Sequence, residues 1–222
     1  MTSQNTFKRQ VAQAALDLIR PKLTSKSIIG VGTGSTTDFF IDELANIRHL
    51  FDATVSSSQN SAQRLKNHGV AVIDLNAAPQ VDVYVDGADE VNLHRQLIKG
   101  GGAALTREKI VASAADEFIC IVDESKVVDT LGRFPLPVEV IPMARSVVAR
   151  EIVRLGGQPI WREGVITDNG NWILDVHNLL IQDPMAMENA INNLAGVVCN
   201  GIFAHHAADT VLIASAKGVI RQ

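Results

Sequence analysis

Between residues 25 and 125, short apolar runs alternate with amphipathic segments, and this alternation constrains the fold of the 222-residue chain more than any other feature. The runs SIIGV, ATV, VAVIDL, VDVYV and FICIV have the length and composition of buried strands. Strands that alternate with helices form parallel sheets, because right-handed crossovers lay the helices against the sheet. The pattern therefore predicts an α/β fold, a Rossmann-like parallel sheet with helices on both faces.

A different pattern begins at FPLPVEVIP, where three prolines mark a domain boundary. A strand, a helix, two strands joined through the Asn-Gly turn of TDNGN, a helix starting at Asp183 and Pro184, and a last strand follow. The order βαββαβ predicts a smaller ferredoxin-like α+β domain. The run DTVLIAS is expected to rejoin the first sheet. We therefore predict an α/β domain over 1–132 and 207–222, and the smaller domain over 133–206.

Composition and charge limit the partners and the compartment. With a formal net charge of −4 and no basic run, the chain is not expected to bind nucleic acid or an anionic membrane. No apolar run approaches the ~20 residues that span a bilayer, and MTSQNTFKRQ lacks the apolar core of a secretory signal. Cys120 and Cys199 lie in apolar runs and are expected to be reduced, which favours the cytoplasm. The six histidines show no ligand spacing, so no metal site is expected.

The segment GVGTGSTT at 30–37 places three glycines between a predicted strand and a predicted helix. The amides that open the helix and the Ser35 and Thr36 hydroxyls would form an anion site. The dinucleotide fingerprint is incomplete, because Thr37 stands where a third glycine is needed when counting from Gly32. A small phosphorylated ligand is favoured, while a tight turn capped by hydroxyls and nucleotide binding remain alternatives. Lys8 and Lys126 could supply positive charge for a phosphate, although each alone is an ordinary surface lysine.

The stretch DGADEVNLHRQLIKGGGAALTREK at 86–109 is too long and too charged for a simple turn. Asp86 and Asp89 follow VDVYV directly, at the sheet edge where α/β proteins bind ligands in a cleft. Ordinary turn chemistry is the alternative for each aspartate, since Asp-Gly is a common turn dipeptide.

Glu108 is the most informative residue of this stretch. If residues 103–115 form a helix, Glu108 lies among alanines, opposite a solvent face of Thr106, Lys109 and Ser113. Burying a carboxylate is unfavourable unless it is paired or protonated, and such burial prepares a general base. A structural ion pair with Lys99 or Arg107 is the alternative.

Lys99 and the glycine triplet at 100–102 complete the set. The Gly101 and Gly102 amides are expected to be unobstructed and close to the lysine, where they could stabilise an oxyanion. A base, oxyanion donors, two further carboxylates and a phosphate site together suit proton abstraction beside the carbonyl of a phosphorylated sugar. Such a reaction passes through an enediolate and needs no cofactor.

These residues resemble the ribose-5-phosphate isomerases of the A type. The matching stretches run almost from end to end: GVGTGST at 30–36, VSSS at 55–58, YVDGADE at 84–90, IKGGGAALTREKI at 98–110, FPLPVEVIPMAR at 134–145, TDNGN at 167–171 and DPMAMENAIN at 183–192. The resemblance implies interconversion of ribose 5-phosphate and ribulose 5-phosphate in the pentose phosphate pathway, without cofactor, by a two-lobed enzyme that is commonly a homodimer.

The resemblance also implies roles for individual residues. Glu108 would shuttle the proton between C1 and C2, Asp86 would assist ring opening and proton transfer between the sugar oxygens, and Lys99 would stabilise the enediolate. The substrate-binding residues that it implies are Thr33, Gly34, Ser35, Thr36, Asp86, Gly87, Ala88, Asp89, Lys99, Gly100, Gly101, Gly102, Lys126 and, less directly, Lys8.

Two other functions stay in competition. A sugar-phosphate-sensing domain could use a similar α/β core without catalysis, but it would need an output module and would have no use for Glu108 on an apolar face. Acyl-CoA transferase chemistry would use a carboxylate as nucleophile and would demand a larger nucleotide site.

Overall fold

The computed structural model describes residues 3–222, so residues 1 and 2 of the predicted first domain lie outside the described part of the chain. The helices are α1 (Ser3–Ile19), α2 (Ser35–Leu44), α3 (Gln59–Asn67), α4 (Leu105–Ala114), α5 (Arg145–Arg154) and α6 (Pro184–Asn192). The strands are β1 (Ile28–Val31), β2 (Ala53–Ser56), β3 (Val83–Asp86), β4 (Glu90–Val91), β5 (Leu97–Ile98), β6 (Phe118–Asp123), β7 (Leu136–Val140), β8 (Gln158–Trp161), β9 (Trp172–His177), β10 (Val197–Asn200), β11 (Ile202–Phe203), β12 (Thr210–Ser215) and β13 (Gly218–Arg221).

The first sheet has six strands in the order β13-β12-β6-β3-β1-β2. Every neighbouring pair is parallel except β12 with β13, which is antiparallel at the edge. The predicted parallel sheet is therefore confirmed, and so is the return of DTVLIAS to it as β12. The edge strand β13 was not predicted.

Helices cover both faces of this sheet, as expected. Ile29 and Val31 of β1 pack with residues of α1 and α2 in one apolar core. Side chains alternate along a strand, so Gly30 faces the other side. A Cβ atom there would lie 2.9 Å from Tyr84 of β3 and from Val111 of α4, which places α4 on that second face.

The second compact unit contains an antiparallel sheet in the order β10-β7-β9-β8, with α5 between β7 and β8 and α6 between β9 and β10 in sequence. This order, with the connection βαββαβ, is the predicted ferredoxin-like arrangement. Asp183 caps α6 as expected, because its side chain accepts a hydrogen bond from the Ala186 amide at 3.0 Å, and Pro184 occupies the first turn.

The structure corrects the predicted boundaries. The first unit comprises residues up to Gly87, Arg107–Lys126 and Ala208–Gln222, and the second comprises Ala88–Thr106 and Val127–Ala207. Residues 88–106, 127–132 and 207 thus leave the predicted α/β domain. The reason is a three-stranded sheet, β11-β5-β4, that ties the segment after Asp86 to the second unit.

The run VAVIDL is a second correction, since it does not form a full strand. Only Val72 makes a bridge, to Thr54 of the edge strand β2, and a turn follows at Asp74. With a neighbour on one side alone, the run gains few backbone hydrogen bonds. Within residues 3–222, no helix has both the length and the hydropathy needed to cross a bilayer.

Candidate active site

In the first unit, the loop between β1 and α2 is built around the carboxylate of Asp86. This side chain is completely buried at the end of β3. Its Oδ1 atom accepts hydrogen bonds from the Thr33 amide at 2.9 Å, the Gly87 amide at 2.7 Å and the Thr37 hydroxyl at 3.2 Å. The Tyr84 hydroxyl donates to Oδ2 at 2.5 Å. Asp86 therefore fixes the glycine-rich loop to the neighbouring strand.

The glycines of this loop serve different purposes. A Cβ atom on Gly32 would lie 1.9 Å from the Asp86 carboxyl carbon, so the carboxylate fits only because residue 32 has no side chain. Gly34 has a φ of 116°, a left-handed conformation, directly before the first residue of α2. The turn thus admits a carboxylate on one side and opens a helix on the other.

Hydroxyl groups and a lysine surround the start of α2. Gly34 and Ser35 are exposed, and Thr33 and Thr36 are half-buried. The Lys8 ammonium donates to the Ser35 hydroxyl at 2.8 Å, which brings one of the two predicted phosphate ligands to the loop. Lys126 is half-buried in the short 3₁₀ turn that follows β6. Exposed hydroxyls and amides at a helix start, with a cation beside them, form an anion-binding arrangement.

Glu108 lies in the first turn of α4 and is 3% exposed, which confirms its predicted burial. Of the residues predicted to face solvent, Ser113 is exposed whereas Thr106 and Lys109 are half-buried. The helix begins two residues later than predicted, because Ala103 adopts a φ of 60°.

Tyr84 shares the face of the sheet that packs against α4 and is fully buried. Burial, followed by the negative charges of Asp86 and Glu108, raises the pKa of the Tyr84 hydroxyl well above its usual value, while a hydrogen bond from Ser57 opposes the rise. The charge of Glu108 thus acts on the hydroxyl of Tyr84, which donates a hydrogen bond to Asp86. The Ser57 hydroxyl is also 2.9 Å from that of Thr33.

In the second unit, Lys99 follows β5 and is only 2% exposed. Its backbone amide donates to the Gly201 carbonyl at 2.9 Å, and its ammonium lies 5.6 Å from the ring centroid of Phe203. A cation over an aromatic face is stabilised by the ring quadrupole. The lysine charge is therefore held in place rather than extended into solvent.

The glycine triplet of the second unit is tightly organised. Gly100 is buried, while Gly101 and Gly102 are exposed. The Gly101 amide donates to Asp89 Oδ2 at 2.8 Å, so the expectation that this amide is unobstructed is wrong. The Asp89 carboxylate lies directly against residue 101, since a Cβ atom on Gly101 would be 2.7 Å from it. Ala88 and Asp89 are half-buried.

Sequence reasoning missed three residues that organise these loops: Ser57, Tyr84 and Arg162. Tyr84 could have been found from its spacing, since residues two apart in a strand share a face and Asp86 was already a candidate. Arg162 follows β8, and its side chain donates to the carbonyls of Gly100 and Gly101, a long-range contact without a local signal. Within residues 3–222, no cluster of three or more His, Cys, Asp and Glu side chains is placed to hold a metal ion.

A helix start lined with hydroxyls and a lysine, and buried carboxylates on an α/β sheet, suit an enzyme that acts on a small anionic substrate. The chain belongs to the ribose 5-phosphate isomerase A (phosphoriboisomerase A) family, whose model matches residues 53–218. The resemblance based on the sequence motifs is confirmed.

Solved structures agree with this membership over the whole chain. A ribose 5-phosphate isomerase A from Neisseria gonorrhoeae is 46% identical, with a TM-score of 0.95 over 100% of this chain and 97% of that one. The enzyme from Methanocaldococcus jannaschii is 41% identical, with a TM-score of 0.91 and 98% of each chain covered. A D-ribose-5-phosphate isomerase in complex with phospho-erythronic acid is 38% identical, with a TM-score of 0.92 over 100% of this chain and 99% of that one.

Proposed function

We propose that the chain interconverts D-ribose 5-phosphate and D-ribulose 5-phosphate, with Glu108 as the base that moves the proton. The observation that carries this assignment is the burial of the Glu108 carboxylate on α4, within electrostatic reach of Tyr84 and so of the Asp86 cluster. A carboxylate that is withdrawn from water is suited to proton transfer from carbon. Membership of the isomerase family supports the reaction itself.

In this mechanism, Glu108 removes the proton from C2 of the open-chain aldose. The electron pair of the C–H bond forms the C1–C2 double bond, and the carbonyl electrons move to O1, which gives an enediolate. Asp86 then carries the O2 proton to O1, and Glu108 returns its proton to C1, which yields the ketose. Proton abstraction and return leave the overall oxidation state unchanged, so the reaction requires no redox cofactor.

The remaining predicted residues bind the substrate. We assign the phosphate to Gly34, Ser35 and Thr36, with positive charge from Lys8 and Lys126. The Lys8 contact with Ser35 supports this assignment. We assign the enediolate charge to Lys99 and the amides of Gly101 and Gly102, since charged and dipolar donors that are fixed in advance stabilise developing charge. Thr33, Gly87, Ala88, Asp89 and Gly100 complete the predicted binding set.

A related structure supports the class of ligand. The structure with phospho-erythronic acid contains a phosphorylated sugar acid. Its carboxylate carries two oxygens and one negative charge, as an enediolate does, so we expect it to compete with substrate here. We further propose that the chain is a cytoplasmic homodimer acting in the pentose phosphate pathway. Sedimentation equilibrium measures the oligomeric state, and a monomeric mass would contradict the homodimer.

Solvent exchange tests the proposed chemistry. When ribose 5-phosphate equilibrates with enzyme in D₂O, the base should acquire deuterium from solvent and place it at C2, which mass spectrometry detects.

Glu108→Gln should reduce turnover by about 10²- to 10⁴-fold, as expected for the loss of a general base, with substrate affinity largely retained.

Glu117→Gln is the matched control, because Glu117 pairs with Lys22 at the surface of the same unit and should not affect turnover. Full turnover by Glu108→Gln would show that another residue is the base. Complete retention of the C2 hydrogen over many turnovers at equilibrium would indicate direct hydride transfer and would contradict the mechanism.

A further inference from the structure

The glycine triplet is held by a side chain from a distant part of the second unit. Arg162 Nη1 donates to the carbonyl oxygen of Gly100 at 3.2 Å and to that of Gly101 at 3.1 Å. The other edge of the same guanidinium binds Asp175, with Nε 2.8 Å from Oδ2. The two side chains are 18% and 20% exposed, so the pair is largely withdrawn from solvent.

Because of peptide geometry, these hydrogen bonds to the carbonyls also orient the Gly101 and Gly102 amides. A trans peptide is planar, so its N–H points away from its C=O. The Gly100 carbonyl shares a peptide with the Gly101 amide, and the Gly101 carbonyl shares one with the Gly102 amide. Because a single nitrogen holds both carbonyls, both N–H groups are directed away from Arg162 and toward the same side of the loop.

The hydrogen bond of the Gly101 amide shows which side this is. The Gly101 amide donates to a carboxylate oxygen of Asp89 at 2.8 Å, so an enediolate oxygen would take the place of this Asp89 oxygen as the acceptor. Consecutive amides that face one way form a concave anion site. The Ala103 amide also donates to the Gly100 carbonyl at 2.9 Å, so that peptide has a second restraint. The Gly101 carbonyl receives Arg162 at 3.1 Å, and the unrestricted glycine backbone makes its peptide the more dependent on this contact.

We propose that Arg162 is a positioning residue for the reaction, which fixes the Gly101 and Gly102 amides toward the enediolate oxygen. This inference rests on the proposed function, because it deepens the role assigned there to the two amides. Arginine suits the task, since its planar fork binds Asp175 with one edge and the carbonyls with the other. Asp175 binds the Nε edge of the fork, and the carbonyls of Gly100 and Gly101 receive the remaining donor.

The test compares two ways of breaking the same ion pair. Arg162→Met removes the donor to the carbonyls, whereas Asp175→Asn removes the charge of the partner but keeps that donor. We expect Arg162→Met to lower kcat about 10- to 100-fold, the scale of a misplaced oxyanion donor, with KM changed less than about threefold. Asp175→Asn should keep kcat within about threefold of the wild-type value.

Two probes separate positioning from general damage. The affinity for phospho-erythronic acid, which carries a carboxylate, should fall in Arg162→Met by the same factor as kcat/KM. The affinity for inorganic phosphate, which has no carboxylate, should not change. The double variant Arg162→Met with Asp175→Asn leaves no unpaired carboxylate behind, and it should show the same loss of kcat even if the single variant is unstable.

Several results would overturn the inference: wild-type kcat in Arg162→Met or in the double variant, equal losses in Asp175→Asn and Arg162→Met, or a parallel loss of phosphate affinity. Glu108→Gln, measured alongside, separates this failure from that of the proposed function. An inactive Glu108→Gln with an active Arg162→Met refutes only the role of Arg162. A fully active Glu108→Gln refutes the proposed base itself.

Discussion

Asp86 shows how one buried carboxylate can determine the conformation of a binding loop. Its Oδ1 atom accepts hydrogen bonds from the Thr33 amide, the Thr37 hydroxyl and the Gly87 amide, and so connects these three residues. Hydrogen bonds to a charged acceptor are stronger than those between neutral groups. The arrangement depends on the space beside Gly32, where the carboxylate lies.

Replacement of Gly32 tests this dependence. A Cβ atom in Gly32→Ala would overlap the Asp86 carboxyl group at 1.9 Å, so the carboxylate must move and give up its loop contacts. We expect the free energy of unfolding to fall by about 1–3 kcal/mol or more, as in other overpacked sites, and turnover to fall with it. Urea unfolding followed by circular dichroism measures the first effect.

Gly87→Ala is the matched comparison for stability. A Cβ atom at Gly87 would lie 3.6 Å from the Ile121 carbonyl oxygen, an ordinary contact, and Gly87 has no left-handed conformation. Its free energy of unfolding should stay within about 1 kcal/mol of the wild-type value. If the two alanine variants were equally stable, close packing around Asp86 would not be what requires a glycine at position 32.

Tyr84 provides a spectroscopic test of the same cluster, because it is the single tyrosine of the chain. Burial, and then the charges of Asp86 and Glu108, raise the pKa of its hydroxyl in the folded protein. In the unfolded chain the hydroxyl should titrate at about pH 10. The stabilisation by Tyr84 is therefore complete below about pH 10 and is lost as the pH rises through the higher folded pKa.

We expect the tyrosinate absorbance of the native protein to stay flat through about pH 10, while the urea-unfolded protein titrates there. Tyr84→Phe should abolish the signal in both states and confirm its source. A tyrosinate signal that rises at about pH 10 while tryptophan emission remains native would contradict the raised pKa.

At the scale of elements, local patterns were sufficient to predict most of the fold. The apolar runs of β1, β3 and β6 are short and continuous, as in strands buried on both faces. The Asp183-Pro184 pair located the start of α6, and the βαββαβ order of the four-stranded sheet with α5 and α6 was predicted correctly. Glu108 was predicted to be buried because the residues around it were assumed to form a helix, and they do form α4.

The elements that were missed depend on contacts between distant residues. Strands β4, β5 and β11 each contain two residues, too few for a period to be visible. They exist because Ile202 and Phe203 pair with Ile98 and Leu97, about a hundred positions away. For the same reason, the hydrogen bonds from Arg162 to the glycine triplet could not be predicted from the sequence. Local composition predicts an element, whereas pairing over long distances must be observed.

At the scale of the whole molecule, the chain passes repeatedly between its two units. The first unit is assembled from three segments, separated by Ala88–Thr106 and Val127–Ala207. If the second unit unfolded alone, these segments would become flexible loops that the first unit must still close. Loop closure of the longer segment alone costs about 4 kcal/mol by the logarithmic law. That is a large share of the roughly 5–15 kcal/mol that stabilises a typical protein.

The covalent path therefore predicts that the units unfold together. The chain provides separate probes, since Tyr84 lies in the first unit and both tryptophans, Trp161 and Trp172, lie in the second. Urea unfolding curves from tyrosine second-derivative absorbance and from tryptophan fluorescence should coincide. Ile152→Ala, a cavity in the core of the second unit that costs about 2–5 kcal/mol, should shift both midpoints equally.

The neighbouring Val153→Ala is the control for this experiment. Val153 is 59% exposed on the same helix, so its truncation should change the free energy of unfolding by no more than about 0.5 kcal/mol. A shift of the tryptophan midpoint alone in Ile152→Ala would show that the first unit survives the loss of the second. Loop closure would then be too weak to couple them, and the interleaved chain would have no thermodynamic consequence.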